Sequence, residues 1–334
     1  ILALIARMQA AASRRLVNLF PTLVPRGRHC VTAGSWTPAQ TTTFRDQGEP
    51  MLCWFDQESS LLESLKRHRA AMDAADAQVE AMSHLVGYCS VCRQTTKFVV
   101  DTGVMFGPNV NLREGLQCCR CGLGNRSRLL FTAVEELDVP QRPRGLILEA
   151  TTVLFERVSS AFPWMEGSEF FGADHAPGDV VEVHGRRVQH QSITNLGYAD
   201  GALDLLVHND VLEHVADTDQ ALSECRRVLR PGGACVFTMP FFPLRPDTLV
   251  RGRHNGDGTL EHLEPPEYHG DGLRSEGIYT YYHFGLDLLG RIRATGFRAV
   301  EVGIDFDVFR GHTANNYRFG DDAWMPPVVL RAFA

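Results

Sequence analysis

The sequence predicts an α/β protein: a doubly wound, mostly parallel sheet of seven strands with the last one antiparallel, preceded by a helical N-terminal region and a small cysteine-rich module. Three observations predict it. From residue 129 onward, short apolar runs alternate with helical stretches, the pattern of strand–helix–strand units. Five of the nine cysteines crowd between Cys89 and Cys121. Between Leu203 and Pro240 the chain reads strand, helix, Gly-Gly stop and strand without a break.

The chain has 334 residues, room for one large α/β domain with one or two small appendages. Its apolar (44%) and charged (22%) fractions are those of a soluble globular protein. The formal net charge of -7 argues against a broadly basic nucleic-acid binder and leaves room only for a local basic groove. No apolar run reaches the length of a membrane span. The first twenty residues place arginines among apolar residues at helical spacing, which suits an amphipathic helix better than a secretory leader. A cytoplasmic protein is the expectation.

Residues 1–84 form the helical N-terminal region, with helices expected at 3–20 and 57–84 and a Thr/Gly/Pro-containing loop between them. This region is also where a homodimer contact is expected. Residues 85–128 hold the cysteines. In 129–334 the expected strands are Gly145–Ala150, Glu169–Ala173, Arg187–Gln191, Leu203–His208, Ala234–Pro240, Arg298–Ile304 and Val328–Phe333. The stretch 241–284, rich in Arg, His, Gly, Pro and Tyr, reads as a long insertion after the fifth strand. Ordered insertions there often cover an active site.

Cys89-Ser-Val-Cys92 and Cys118-Cys119-Arg-Cys121-Gly122 form two C-x-x-C knuckles, a pattern that brings four thiolates to one tetrahedral point. Zn²⁺ accepts that set as a structural ion. Cys89, Cys92, Cys118 and Cys121 are the expected ligands, Cys119 a bystander, and Gly122 allows the tight turn. The odd count and paired spacing fit a reducing compartment rather than a disulfide framework.

Further on, Leu203–Val207 is a buried strand entering Val-Leu-Glu-His. Asp217-Thr-Asp-Gln220 opens a helix like a capping box, and Arg230-Pro-Gly-Gly233 ends it. The stretch DLLVHNDVLEHVADTDQALSECRRVLRPGGACVFTMPF resembles the fourth strand, connecting helix and fifth strand of class I S-adenosylmethionine-dependent methyltransferases. The segments EHLEPPEYHGDG and YTYYHFGLDLLGRIRATGF are similar to a bacterial subgroup that also bears an N-terminal zinc ribbon ending in C-x-x-C-G…N-R-x-R, here Cys118–Arg128. The resemblance implies a Rossmann-like sheet and S-adenosyl-L-methionine as cofactor.

It also implies site residues. Glu149, ending the first strand, would orient the methionine end of the cofactor. Asp174, after the second strand, would accept hydrogen bonds from the ribose hydroxyls. Ser192, with Ile193, stands where the adenine is held. His208 and Asn209, at the carboxyl end of the fourth strand, would line the site beside the reactive methyl, with Asp210 next to them. Arg126 would either meet the cofactor carboxylate or form a structural salt bridge. The loop after Glu149, Ala-Thr-Thr-Val-Leu-Phe, departs from the pattern in having no glycine. Either it takes a wider turn and still binds, or the site has lost its cofactor; the intact Asp174 and Val-Leu-Glu-His segment favour the first.

Glu213 and His214 serve either packing or the border of the acceptor pocket. In the insertion, Tyr268, His269, Asp271 and His283 gather phenol, imidazole and carboxylate groups, and His269 and His283 are the expected bases. The expected reaction is transfer of a methyl group to an O or N nucleophile of a small-molecule, sugar or peptide acceptor from a biosynthetic pathway. Two alternatives stand beside it: an RNA methyltransferase that grips its substrate with the zinc ribbon, and a non-catalytic binding protein with a degenerate cofactor site.

Overall fold

A computed structural model describes residues 51–106, 109–270, 273, 275–314 and 324–334. The expected helix at 3–20, the loop after it and Asp271 lie outside the described residues, and with them most of the region expected to dimerise. The described residues divide into two compact units: one within 51–136 with 302–314 and 326–328, the other within 137–301 with 324–325 and 329–334.

The first unit opens with β1 (Cys53–Phe55) and α1 (Glu58–Glu80), close to the expected helix at 57–84. Leu61, Leu65, Met72, Ala75 and Val79 are buried at intervals of three to seven residues, so one apolar stripe explains the helix. β2 (His84–Cys89) and β3 (Gln94–Val100) pair antiparallel, and β4 (Leu116–Cys118) adds to β3. The β2–β3 register closes at Cys89 opposite Gln94, with Arg93 in the left-handed region at φ 51°. That tight turn carries the first cysteine pair. α2 (Asn125–Glu135) follows the second pair and buries Leu129, Leu130, Phe131, Ala133 and Val134.

The second unit is the doubly wound sheet. Its elements are β5 (Gly145–Ile147), α3 (Val153–Ala161), β6 (Met165–Glu169), β7 (Val180–Val183), β8 (Arg186–His190), β9 (Leu203–Asn209), α4 (Thr218–Val228), β10 (Leu229–Thr238), α5 (Asp287–Ala294), β11 (Ala299–Ile304) and β12 (Val328–Phe333). The strands stand in the order β11-β12-β10-β9-β5-β6-β8-β7. β5, β6, β8, β9 and β10 run parallel, and β12 runs antiparallel to β10 as expected. Two edge strands were not expected. β7 is a hairpin partner of β8, and β1 pairs antiparallel with residues 302–304 of β11, so the sheet has nine strands rather than seven.

The second strand is displaced from its expected place. Phe170 and Phe171 look like strand residues, yet Phe170 is 46% exposed. The strand is Met165–Glu169, a polar-looking run whose Met165 and Ser168 are buried. Gly167 leaves space for the Phe155 ring of α3, whose nearest atom would lie 2.5 Å from an added Cβ. The chain leaves β5 to one side for β6 and crosses to the other side for β9. In an open parallel sheet that reversal opens a crevice at the strands' carboxyl ends.

The stretch 241–284 is ordered by three short antiparallel pairs: Leu249–Val250 with Tyr282–His283, Gly252–His254 with Leu260–His262, and Tyr268–His269 with Ile278–Tyr279. Among the described residues, no helix is long and apolar enough to cross a membrane.

Candidate active site

Two carboxylates stand at the carboxyl ends of β5 and β9, Glu149 and Asp210. Glu149, two residues past β5, is buried and accepts from Thr152 Oγ1 at 2.7 Å, with Asn209 Nδ2 at 3.5 Å. Asn209 Oδ1 and Asp210 Oδ1 both accept from Thr238 Oγ1, at 2.8 and 2.9 Å, which ties the ends of β9 and β10 together. Asp210 sits at φ 52°, a left-handed conformation that Asp tolerates better than most residues.

The glycine-free loop is organised by a residue that the sequence reading passed over. Glu169, the last residue of β6, accepts from the backbone N–H of Ala150 (2.9 Å) and Thr151 (3.0 Å) and from Thr151 Oγ1 (2.7 Å). Thr152 then caps α3 by accepting from the N–H of Phe155. Glu169 therefore holds the strand-end position expected of Asp174, which instead lies exposed in a turn five residues further on. The signal was available: the second of two acids in Met-Glu-Gly-Ser-Glu, closing that run just ahead of Phe170 and Phe171.

Three other cofactor expectations sort out differently. Ser192 and Ile193 follow β8, with Ser192 Oγ 2.9 Å from Thr194 Oγ1 and Ile193 buried. His208 does not line the crevice. It is fully buried, stacked on Phe237 at 4.6 Å, and clustered with the buried thiols of Cys225 and Cys235. The strand's alternation turns it into the core, and burial pushes its pKa down to about 3. Arg126 is committed elsewhere: its guanidinium grips Glu114 through Nε–Oε1 (2.7 Å) and Nη2–Oε2 (2.8 Å), the structural salt bridge of the two alternatives.

The insertion gathers a second polar cluster in the same unit. Glu213, in the short 3-10 turn Leu212–His214, has none of its surface exposed, and neither carboxylate oxygen has a hydrogen-bond partner. His214 Nε2 and His269 Nδ1 each lie 3.7 Å from Glu213 Oε1. His269 Nε2 is 3.1 Å from Glu267, which also accepts from His283 Nε2 (3.2 Å to each oxygen) and pairs with Arg251 Nη2 (3.3 Å). Burial works to raise the Glu267 carboxyl, but its two histidines and Arg251 prevail and hold it well below the usual carboxylate range.

This geometry corrects the expected bases. Burial works to lower His269, but the Glu213 and Glu267 carboxylates outweigh it and push its pKa up to about 9. An imidazole already protonated at neutral pH is a poor proton acceptor. His283, buried against Phe242, has its Nε2 engaged with Glu267, so it orients that carboxylate. Tyr268 is 54% exposed and packs edge-on against Tyr279. Glu267 and Arg251 bind this network together.

In the first unit, Cys89, Cys92, Cys118 and Cys121 converge as expected. Their sulfurs lie within 4.8 Å of one another, with Cys89–Cys121 and Cys92–Cys118 both at 3.8 Å. Sulfurs arranged tetrahedrally at ~2.3 Å around zinc stand about 3.8 Å apart, so the set fits the ion. Cys119 is exposed and outside the set. Gly122 turns at φ 76° between the knuckle and α2.

Residues 159–237 match the family model described as a methyltransferase domain, the span from within α3 almost to the end of β10. The chain is 36% identical over 73 residues to a protein of Mycolicibacterium smegmatis named as a probable S-adenosylmethionine-dependent methyltransferase, covering 21% of this chain and 28% of the relative. It is 33% identical over 78 residues to a ubiquinone biosynthesis O-methyltransferase of Cereibacter sphaeroides, covering 21% and 32%. The chain thus spans less than a third of the length of these curated relatives. A crystal structure of an S-adenosylmethionine-dependent methyltransferase from Mesorhizobium loti aligns at TM-score 0.38 and 16% identity, covering 62% of this chain and 98% of that one.

Proposed function

We propose that this chain transfers a methyl group from S-adenosylmethionine to an O or N nucleophile of a small-molecule, sugar or peptide acceptor. The observation that carries the reading is the methyltransferase-domain match over 159–237, which falls on the strands that flank the sheet's reversal. The cofactor supplies an electrophilic methyl on a sulfonium. The protein's part is to hold donor and acceptor in line in a site kept from water.

In this reading Glu149 and Asn209 border the cofactor's methionine end, and Glu169 takes the ribose role. Glu169 is preferred to Asp174 because it ends its strand at the crevice, whereas Asp174 is exposed in a turn. Taking the ribose hydroxyls would require Glu169 to share or release its hold on the Ala150–Thr151 backbone. Ser192 and Ile193 border the adenine. The insertion carries the acceptor side, with Glu213, Glu267 and His283 as its fixed polar groups. Four thiolates hold a structural zinc ion in the first unit, with no open coordination position for catalysis.

Titration of the zinc-loaded protein with S-adenosylmethionine and with S-adenosylhomocysteine, followed by thermal shift, tests the reading. A saturable rise in Tm is expected, since a ligand at 100 times its Kd stabilises by about 2.7 kcal/mol. No shift with either compound at millimolar concentration sinks it and leaves the degenerate-site alternative.

A further inference from the structure

The acceptor-side cluster contains an anomaly. A carboxylate with no surface exposure and no hydrogen-bond partner is costly unless something compensates it. Glu213 is such a group, and the nearest ring nitrogens, on His214 and His269, stand 3.7 Å from its Oε1. A direct imidazolium–carboxylate hydrogen bond would draw that distance to about 2.8 Å. Nitrogen and oxygen ligands around one zinc-sized ion, each at about 2.0–2.1 Å from it, stand roughly 3.4 Å apart. The observed spacing lies nearer the second value. We infer that Glu213, His214 Nε2 and His269 Nδ1 form a divalent-cation site.

The outer sides of both rings carry the argument further. Ligating histidines ordinarily donate their other ring N–H to a carbonyl or carboxylate, which fixes the tautomer and aims the lone pair at the metal. His214 Nδ1 lies 2.9 Å from the carbonyl oxygen of Tyr279. His269 Nε2 lies 3.1 Å from Glu267, itself held by His283 and Arg251. With each outer nitrogen donating, each inner nitrogen faces Glu213, and an ion bound there displaces the proton that His269 otherwise carries and takes the lone pair in its place. The two rings meet edge to face with centroids 4.9 Å apart, so they approach the same point from different directions. The three ligand atoms lie within 4.8 Å of one another.

Two imidazoles and one carboxylate suit Zn²⁺, Mn²⁺ or Fe²⁺ better than Mg²⁺ or Ca²⁺, which favour all-oxygen sets. Three protein ligands leave at least one coordination position open, as in catalytic rather than structural sites. The ion's use rests on the proposed function; its presence does not. The open position takes a hydroxyl oxygen of the acceptor, and coordination lowers that hydroxyl's pKa so that its proton is lost to bulk solvent as the acceptor binds, before water is excluded from the site. The oxygen's electron pair then forms the new bond to the methyl carbon. The sulfur–methyl bond breaks, and its electrons return to sulfur, leaving the neutral thioether. A hydroxyl acceptor is thereby favoured over an amine.

The test uses the full chain loaded with a single equivalent of zinc, which the four thiolates take up in preference to a nitrogen and oxygen site, then titrated with Mn²⁺ while free Mn²⁺ is followed by electron paramagnetic resonance. Thiolates bind Mn²⁺ poorly, so the cysteine cluster stays silent. One Mn²⁺ per chain is expected, weakened at least 10-fold in Glu213→Gln and His269→Ala, and 10- to 100-fold in Glu267→Gln, whose effect is on ring orientation. Far-ultraviolet circular dichroism checks that each variant is folded. No Mn²⁺ uptake by the wild type, or uptake unchanged in folded His269→Ala, overturns the site. S-Adenosylhomocysteine binding is measured in the same samples. Cofactor binding without Mn²⁺ uptake overturns the cation site alone, and Mn²⁺ uptake without cofactor binding overturns the methyltransferase reading alone.

Discussion

Arg128 is wholly buried beside the four thiols. Its Nη1 donates to the carbonyls of Leu116 (3.0 Å) and Leu123 (2.6 Å), its Nη2 donates to that of Gly311 (2.5 Å), and its guanidinium lies 4.6 Å from the Phe98 ring centroid. Burial pushes its pKa down to about 10, and the neighbouring cysteines work the other way. A zinc ion with four thiolates carries two net negative charges, which a buried cation offsets. Arg128→Met is therefore expected to cost at least ~3 kcal/mol in urea unfolding, because it strands three carbonyls as well as the thiolate charge. A cost below 1 kcal/mol would show that the charge is not needed. His208 supplies the opposite case, a histidine kept neutral by the core. Its folded pKa of about 3 lies below the ordinary histidine value of 6.5, so the unfolded chain takes up the proton first. The stability it contributes is full above pH 6.5 and is lost as pH falls from 6.5 toward 3. His208→Leu is expected to flatten the pH dependence of unfolding in that window by up to one proton, ~1.4 kcal/mol per pH unit. Parallel curves for the two proteins would refute the assignment. Neither role was legible in the sequence. His208 looked like a site residue because it ends an apolar strand, and only the side of the strand it faces decides otherwise.

At the scale of elements, the sequence reading succeeded where an element's own residues determine it. α1 and α4 carry their apolar stripes in the chain, Asp217 caps α4 by accepting from the N–H of Gln220, and the paired cysteines lie on turns fixed by a hairpin register. It failed at β6, where neighbours do the deciding. Met-Glu-Gly-Ser-Glu is a poor strand by propensity, but its glycine receives an aromatic ring and its Glu closes the loop of the preceding strand. That displacement moves the candidate ribose acid from Asp174 to Glu169 and yields a direct comparison. Glu169→Ala is expected to weaken S-adenosylhomocysteine binding at least 10-fold by calorimetry, since it removes both the candidate ribose acceptor and the anchor of the Ala150–Thr151 loop. Asp174→Ala is expected to change it less than 3-fold. The reverse order would restore the exposed acid as the ligand. Glu169→Asp, which keeps the charge on a shorter arm, should fall between wild type and Ala if reach to the ribose matters.

Across the whole molecule, six of the sheet strands were legible in place because alternation between strand and helix leaves few ways to wind a parallel sheet. The two edge strands were not, since a three- or four-residue strand is specified by the partner it meets. The insertion was legible as a separate stretch after the fifth strand, but its internal pairing was not. Charge is the one global property that bears on the acceptor. With 33 Lys and Arg against 40 Asp and Glu, the chain has no surplus from which to neutralise a phosphate backbone broadly. The polar groups of the candidate site follow the same balance, with Glu149, Glu169, Asp210, Glu213 and Glu267 there and Arg251 already paired with Glu267. Polyanion binding depends on Lys and Arg displacing condensed counterions, and weakens steeply with salt in proportion to the phosphates neutralised. A methyltransferase acting on RNA would show nonspecific binding in the range of ~1–100 µM at physiological salt, with a marked salt slope. For this protein, fluorescence anisotropy with a labelled RNA 20-mer is expected to give no binding below ~100 µM at 150 mM salt. A micromolar affinity that falls with added salt would return the RNA alternative to first place, because a local basic surface would then be overcoming the molecule's net charge. Without such binding, the RNA alternative falls, and the acceptor is one that brings no phosphate backbone to be neutralised.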